Sequence, residues 1–207
     1  MVTSGFFIAF EGGEGAGKST QTELLSKRLA GEGFTVVVTR EPGGTPTAEK
    51  IRSVLLDPTI TDMPDQAEAL LFAAARADHA ANLIRPALES GSVVICDRYL
   101  ESSVAYQGHG RNLGGAYIRE LSEWATQGLL PDFTVYLDVP AQVSLDRRKG
   151  TDRMEIQSLD FHMQTQQAFR DLAKQSQAPH IVIDATLPIT EIETLISDAV
   201  LAELNSR

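Results

Sequence analysis

Short runs rich in Val, Ile and Phe alternate along this chain with longer stretches of helical periodicity. The runs Phe6–Phe10, Thr35–Thr39, Val93–Cys96, Phe133–Asp138 and His180–Asp184 predict strands. Their nearly unbroken apolar character predicts burial on both faces of a parallel sheet. Lys18–Ala30, Ala67–Glu89, Gly114–Gln127, Ala141–Arg148, Leu159–Ser176 and Ile189–Leu204 predict helices. Those between strands are long enough for right-handed crossovers. The alternation predicts an α/β fold: a doubly wound, five-stranded parallel sheet flanked by helices. Ligands bind such sheets beyond the carboxyl ends of the strands. That directs attention to Glu11–Ser19, Arg40–Thr45, Asp97–Tyr99 and Asp138–Pro140.

Composition narrows the class without naming a reaction. The chain has 207 residues, 43% of them hydrophobic, enough for one sizeable core. No repeat or Pro/Gly linker divides it, so 1–207 is expected to form one domain. A net charge of −10 opposes binding to nucleic acid and to anionic membranes, though clustered Arg and Lys can still hold small anions. The single cysteine, Cys96, allows no internal disulfide and fits a reducing, cytoplasmic setting. The opening run Phe6–Phe10 is too short for a membrane helix.

The segment Gly12-Gly13-Glu14-Gly15-Ala16-Gly17-Lys18-Ser19 has the spacing G-x-x-x-x-G-K-[ST], after a predicted strand and before a predicted helix. Glycines let the backbone curl its N–H groups onto phosphate oxygens, and the helix N-terminus adds free donors and a positive dipole end. Lys18 is placed to reach the β- and γ-phosphates, and the Ser19 hydroxyl to ligate Mg2+. Thr20 completes the loop. The motif specifies a bound triphosphate; switches, motors and kinases all carry it.

Two further strand ends bear on the reaction. Asp97 closes the third strand, where an acid commonly holds magnesium through water, and Arg98 follows it with a fork suited to phosphate. The plain alternative is a helix cap followed by a solvated arginine. Arg40 leads the turn Glu41-Pro42-Gly43-Gly44-Thr45 as a second candidate phosphate ligand; alone, it also suits a tight surface turn. Two cations beyond the phosphate loop suggest a second phosphorylated substrate, as a monophosphate kinase requires and a hydrolase does not. The segment Asp146-Arg147-Arg148-Lys149-Gly150-Thr151-Asp152-Arg153 concentrates four basic residues in an acidic chain. It reads as a mobile lid over the triphosphate, spanning about 147–158; a solvated basic helix end is the alternative.

The stretch Phe10–Thr20, the motif Thr39-Arg40-Glu41-Pro42-Gly43-Gly44-Thr45, and Asp97-Arg98-Tyr99 with Ser102-Ser103 and Ala105-Tyr106-Gln107-Gly108 together resemble bacterial thymidylate kinase. The resemblance runs from the first strand to the last helix. It implies that Phe72 stacks on thymine, Arg76 and Ser103 contact the base, Tyr106 lies under the deoxyribose, Gln107 lines the pocket and Glu14 meets the 3′-hydroxyl. It also implies that adenine sits by Ile183-Asp184-Ala185-Thr186, and that two chains form a homodimer. In this family the catalytic arginine lies in the phosphate loop or in the lid. Gly12–Ser19 has no arginine, so the resemblance sends that role to the lid, to Arg153 before Met154-Glu155, with Arg147 and Arg148 as further candidates. The expected activity is transfer of the γ-phosphoryl group of ATP to dTMP, with Lys18, Arg98 and lid arginine stabilising charge. The rivals are a kinase for another pyrimidine monophosphate and a nucleotide-dependent switch ATPase.

Overall fold

A computed structural model describes residues 5–147 and 152–206. The strands are β1 (Phe6–Gly12), β2 (Val36–Arg40), β3 (Val93–Asp97), β4 (Phe133–Asp138) and β5 (His180–Asp184). All neighbours pair in parallel, in the order β2-β3-β1-β4-β5. The chain winds to one side of β1 for β2 and β3, then to the other for β4 and β5. The crevice therefore opens at the carboxyl end of β1, where the winding reverses. β1 is wholly buried, as continuous apolar sequence predicts. The two edge strands depart from that expectation. Val38 of β2 is 48% exposed and Val182 of β5 is 50% exposed, because each edge strand is only partly covered.

The helices are α1 (Lys18–Gly31), α2 (Pro46–Leu56), α3 (Asp65–His79), α4 (Arg85–Glu89), α5 (Leu100–Ser103), α6 (Gly115–Ala125), α7 (Ala141–Arg147), α8 (Leu159–Gln175) and α9 (Ile189–Asn205). The predicted single rod 67–89 is α3 and α4 joined by a widened, π-helical turn at Ala80–Ile84. Pro86 follows within that rod. It lacks an N–H and crowds the carbonyl four residues back, which a widened turn accommodates. A second π-helical stretch, Val104–Gly110, continues α5 and carries Tyr106 and Gln107.

The apolar side chains fall into two layers, one on each face of the sheet. Leu25 and Leu29 of α1 and Ile192, Ile196 and Val200 of α9 pack with Phe6, Ile8 and Phe10. Phe7 and Ala9 point the other way, to Ala69, Ile84, Tyr99 and Val104. Alternate residues of one strand thus feed opposite cores. No described helix is long and apolar enough to cross a membrane.

Candidate active site

β1 delivers the chain into the glycine-rich loop through Gly12, at φ 138. A Cβ there would stand 2.3 Å from the Leu137 carbonyl oxygen, so β4 leaves no room for a side chain. Gly15, at φ 65, is also crowded, by Ser144 of α7, with a Cβ placed 2.9 Å from its carbonyl oxygen. Ser144 Oγ donates to the Glu14 carbonyl and ties the loop to α7. Gly17 begins α1 in the left-handed region with no side-chain cap. The first turn of α1 therefore keeps donors for an anion.

Lys18 is buried and folds back on the loop, donating to the carbonyls of Gly12 at 3.1 Å and Gly13 at 2.8 Å. Burial, and then Arg98, lower its pKa; Asp97 and Glu14 work the other way. Ser19 Oγ donates to Asp97 Oδ2 at 2.7 Å. Sheet register places that acid: Asp97 lies beside Phe10 on β1 and Arg40 on β2.

Arg98 adopts φ 70, in the left-handed region, and its N–H donates to the Phe10 carbonyl at 2.8 Å. Its guanidinium turns back over the loop. It donates to the Gly12 carbonyl at 3.0 Å, Ser102 Oγ at 3.1 Å, Glu14 Oε1 at 2.6 Å and Tyr106 Oη at 3.2 Å. It also lies 5.1 Å from the centroid of the Tyr106 ring. Burial opposes the Arg98 charge, but Glu14, Tyr106 and Asp97 outweigh it and raise its pKa. Burial raises the Glu14 pKa as well, yet Arg98 and Lys18 overcome this and bring its carboxyl down to about 2.

Farther from the loop, Arg76 of α3 is almost fully enclosed. It donates to Glu41 Oε2 at 2.7 Å, Ser122 Oγ at 2.9 Å, the Tyr99 carbonyl at 3.1 Å and Ser103 Oγ at 2.9 Å. Glu41 also pairs with His79 Nδ1 at 3.0 Å, and His79 Nε2 lies 2.7 Å from Thr39 Oγ1. This buried chain holds the Arg76 plane against Ser103.

Most of the polar side chains around Lys18, Arg98 and Arg76 meet along one cleft of about 550 Å³. At its loop end are Glu14–Thr20 and Asp97. Arg40, Arg98 and Tyr106 line the middle, and Phe72, Arg76, Ser103 and Gln107 the far end. Gly12 and Gly13 line a smaller hollow behind the loop, with Tyr136 and Arg170. Arg40 is half-exposed and held by Glu49 at 3.0 Å.

The lid arginines part company. Arg147 lines the cleft, donating to the Ala185 carbonyl at 2.9 Å. Arg148 lies outside the described residues. Arg153, expected over the triphosphate, is held elsewhere in this structure. It is 7% exposed and does not line the cleft. It donates to Glu68 Oε2 at 2.6 Å and to the Leu55 carbonyl at 2.8 Å. Glu68, a buried acid, attracts it more strongly than solvent can, and also holds Arg111 at 3.0 Å and Gln107 at 2.9 Å.

Several cleft residues escape a sequence reading. Helix α2 contributes Arg52, whose Nη1 donates to the Pro42 carbonyl at 2.7 Å and which lines the cleft. Its signal was present: Thr45 caps α2, accepting from Ala48 N–H at 3.2 Å, and Pro46 opens the helix. Glu41 and Glu68 gave no local signal, since their partners are distant in sequence.

Together the fold and cleft define a P-loop nucleotide-binding α/β protein with cationic side chains both at the loop and beyond it. The family model described as thymidylate kinase matches residues 10–196. The thymidylate kinase of Clavibacter michiganensis is 51% identical over 197 residues, covering 93% of this chain and 93% of that one. That of Geotalea uraniireducens is 44% identical over 209 residues, covering 97% and 98%. The crystal structure of thymidylate kinase from Ehrlichia chaffeensis superposes with a TM-score of 0.78 at 30% identity, covering 95% of this chain and 99% of that one. The chain belongs to the thymidylate kinase family.

Proposed function

We propose that the chain transfers the γ-phosphoryl group of ATP to the 5′-phosphate of dTMP, giving ADP and dTDP for dTTP biosynthesis. The observation that carries this is one cleft lined by Lys18 and Ser19 of the loop and also by Arg98, Arg40 and Arg52, cations available to a second anion. A hydrolase has no use for that second cationic group. The acceptor phosphate oxygen is anionic near neutral pH and needs no general base. It forms a bond to the γ-phosphorus while the bond to the bridging oxygen breaks and that electron pair leaves on ADP. Arg98 releases Glu14 and takes the acceptor phosphate, and Arg40 assists it. Lys18, with Arg147 from the lid segment, meets charge gathering on the migrating group. Phe72, Arg76, Ser103, Gln107 and Tyr106 hold the nucleoside, and Glu14 turns to the 3′-hydroxyl.

Ser19 Oγ and the Asp97 carboxylate, 2.7 Å apart, are hard oxygen donors that suit Mg2+ with the phosphates and water completing its shell. When bound, the ion neutralises phosphate charge. We further read 147–158 as a lid on a single domain, and the protein as a cytoplasmic homodimer. Exposed Tyr117 and Trp124 of α6, with Leu70 of α3, support an apolar partner surface. An acceptor panel tests the activity: ADP release should be fast with dTMP, slower with dUMP and negligible with purine monophosphates or none. ADP release without acceptor at the dTMP rate would refute the reading.

A further inference from the structure

Glu11 is a charged residue type at zero exposure, at the carboxyl end of the apolar strand β1, and nothing in the proposed chemistry uses it. It does not itself line the cleft, but its carboxylate meets two residues that do. Oε1 accepts the Tyr99 N–H at 3.0 Å, and Oε2 accepts the Ser102 hydroxyl. Ser102 Oγ in turn accepts Arg98 Nη1–H at 3.1 Å. The residue before Glu11 grips the other side of the same arginine, because the Phe10 carbonyl accepts the Arg98 N–H at 2.8 Å. Two consecutive residues of β1 therefore clamp the backbone on either side of Arg98, which holds φ 70. A non-glycine residue in that region is costly unless its surroundings impose it.

We propose that Glu11 is a positioning residue for Arg98, acting through Ser102 and the Tyr99 amide to register the acceptor-phosphate cation against the phosphate loop. The proposal rests on the reading that Arg98 holds the acceptor phosphate. The chemistry of the position explains why a carboxylate stands there. An acceptor-only group draws the Ser102 proton toward itself and leaves the Ser102 lone pairs for Arg98. Glutamine could accept from the Tyr99 amide. Its NH2 group, however, would donate to Ser102 Oγ and compete with Arg98 for the same lone pairs. An apolar residue would leave the Tyr99 N–H unpaired in the core. Placing an acid here opposes its solvation: burial above all pushes the Glu11 carboxyl up to about 7, so the acceptor-only form prevails above that pH, where the cycle below is run.

A double-mutant cycle on the full chain tests this, with Glu11→Gln, Arg98→Met and the pair. Both substrates are varied at steady state, and thermal melts are recorded. Glu11→Gln should raise the dTMP KM by ~10-fold, about one charge-assisted hydrogen bond. It should leave the ATP KM unchanged. In the Arg98→Met background it should add nothing. An equal effect with and without Arg98, or both KM values rising together, overturns the proposal and leaves Glu11 a folding group. A dTMP KM unaltered by Arg98→Met alone would sink the Arg98 assignment beneath it, a different failure. Should Glu11→Gln not fold, Ser102→Ala keeps Glu11 on the Tyr99 amide, cuts the same relay and enters the same cycle.

Discussion

Arg153→Met separates two roles that sequence and structure assign to one residue. As a transition-state cation, Arg153 would be worth ~10³–10⁵ in rate, the scale of an arginine finger. Its loss would then leave stability nearly untouched. The structure gives it a different job. Arg153 moors the segment after 147–151 to the end of α2 and the start of α3, through Leu55 O at 2.8 Å and Glu68 at 2.6 Å. Breaking a buried ion pair typically costs ~3–5 kcal/mol. Glu68 keeps Arg111 and Gln107, so the lower end applies, ~3 kcal/mol, or a fall of ~6–12 °C in Tm for a chain of this size. Circular dichroism melts and single-turnover ADP release, on the same preparation, read the two effects apart. The expected result is the Tm loss with a rate loss of no more than ~10-fold. A rate loss of ~10³ with an unchanged Tm would refute the mooring and restore the catalytic role. Arg147→Met should show the reverse signature, because Arg147 is exposed and donates to the Ala185 carbonyl rather than to a buried acid.

Arg98→Met should raise the dTMP KM by ~30-fold or more with the ATP KM within a few-fold, since the proposed reading gives its guanidinium fork to the acceptor anion alone; equal losses would contradict the division of the cleft. Glu14→Gln should abolish discrimination between dTMP and its 3′-deoxy analogue in competition assays, and retained discrimination would remove Glu14 from the sugar. Glu11 gives a pH test of stability. Folding raises its pKa from 4.5 to about 7, so the folded state binds a proton the unfolded chain has lost between those values. Its contribution is fully present below pH 4.5 and is lost as pH rises through about 7, by up to ~3 kcal/mol. Denaturant melts of Glu11→Gln should lack this slope relative to the parent chain. Trp124, 78% exposed, should mark the partner surface; Trp124→Glu should halve the mass seen by light scattering, and an unchanged mass would move the interface elsewhere.

The sheet was legible in sequence because its strands are short apolar runs and its crossovers are long. The glycine-rich loop was legible because its conformation demands Gly12 and Gly15 at fixed spacing. Helix α2 was missed although Thr45 and Pro46 announced it, because the Pro-Gly-Gly turn before it drew the segment into a loop. With it went Arg52. The placement of Arg153 could not be read from its neighbours. What decides it is Glu68, 85 residues away in sequence, and the contest between that carboxylate and the cleft is settled only by packing. Arg98 shows the same limit in milder form. Its proximity to the phosphate loop followed from strand order, but its orientation depends on Glu14 of the loop and on Ser102 and Tyr106 of the helix that begins at Leu100.

Those orientations share a logic. Each cation of the cleft is satisfied by the protein itself: Lys18 by loop carbonyls, Arg40 by Glu49, Arg98 by Glu14, Arg52 by Pro42 O and Arg147 by Ala185 O. On the proposed reading, substrate phosphates bind by exchange, with each anion displacing an internal partner. Exchange gives less affinity than bare cations would. In return, the donors are already aimed when the anions arrive, so little reorganisation is left for the transfer step. Bare arginines packed this closely would repel one another, and the intervening acids remove that strain while the cleft is empty. The partners differ in kind, and the difference has a consequence. Carbonyls around Lys18 and Arg147 are dipoles that yield cheaply to a triphosphate. Glu14 on Arg98 is a full charge that must be given another use before the acceptor phosphate can settle. The 3′-hydroxyl of a deoxynucleotide offers it one, and a ligand without that group leaves Glu14 competing for Arg98. The proposed roles thus make sugar recognition and phosphate recognition one event at Glu14 and Arg98.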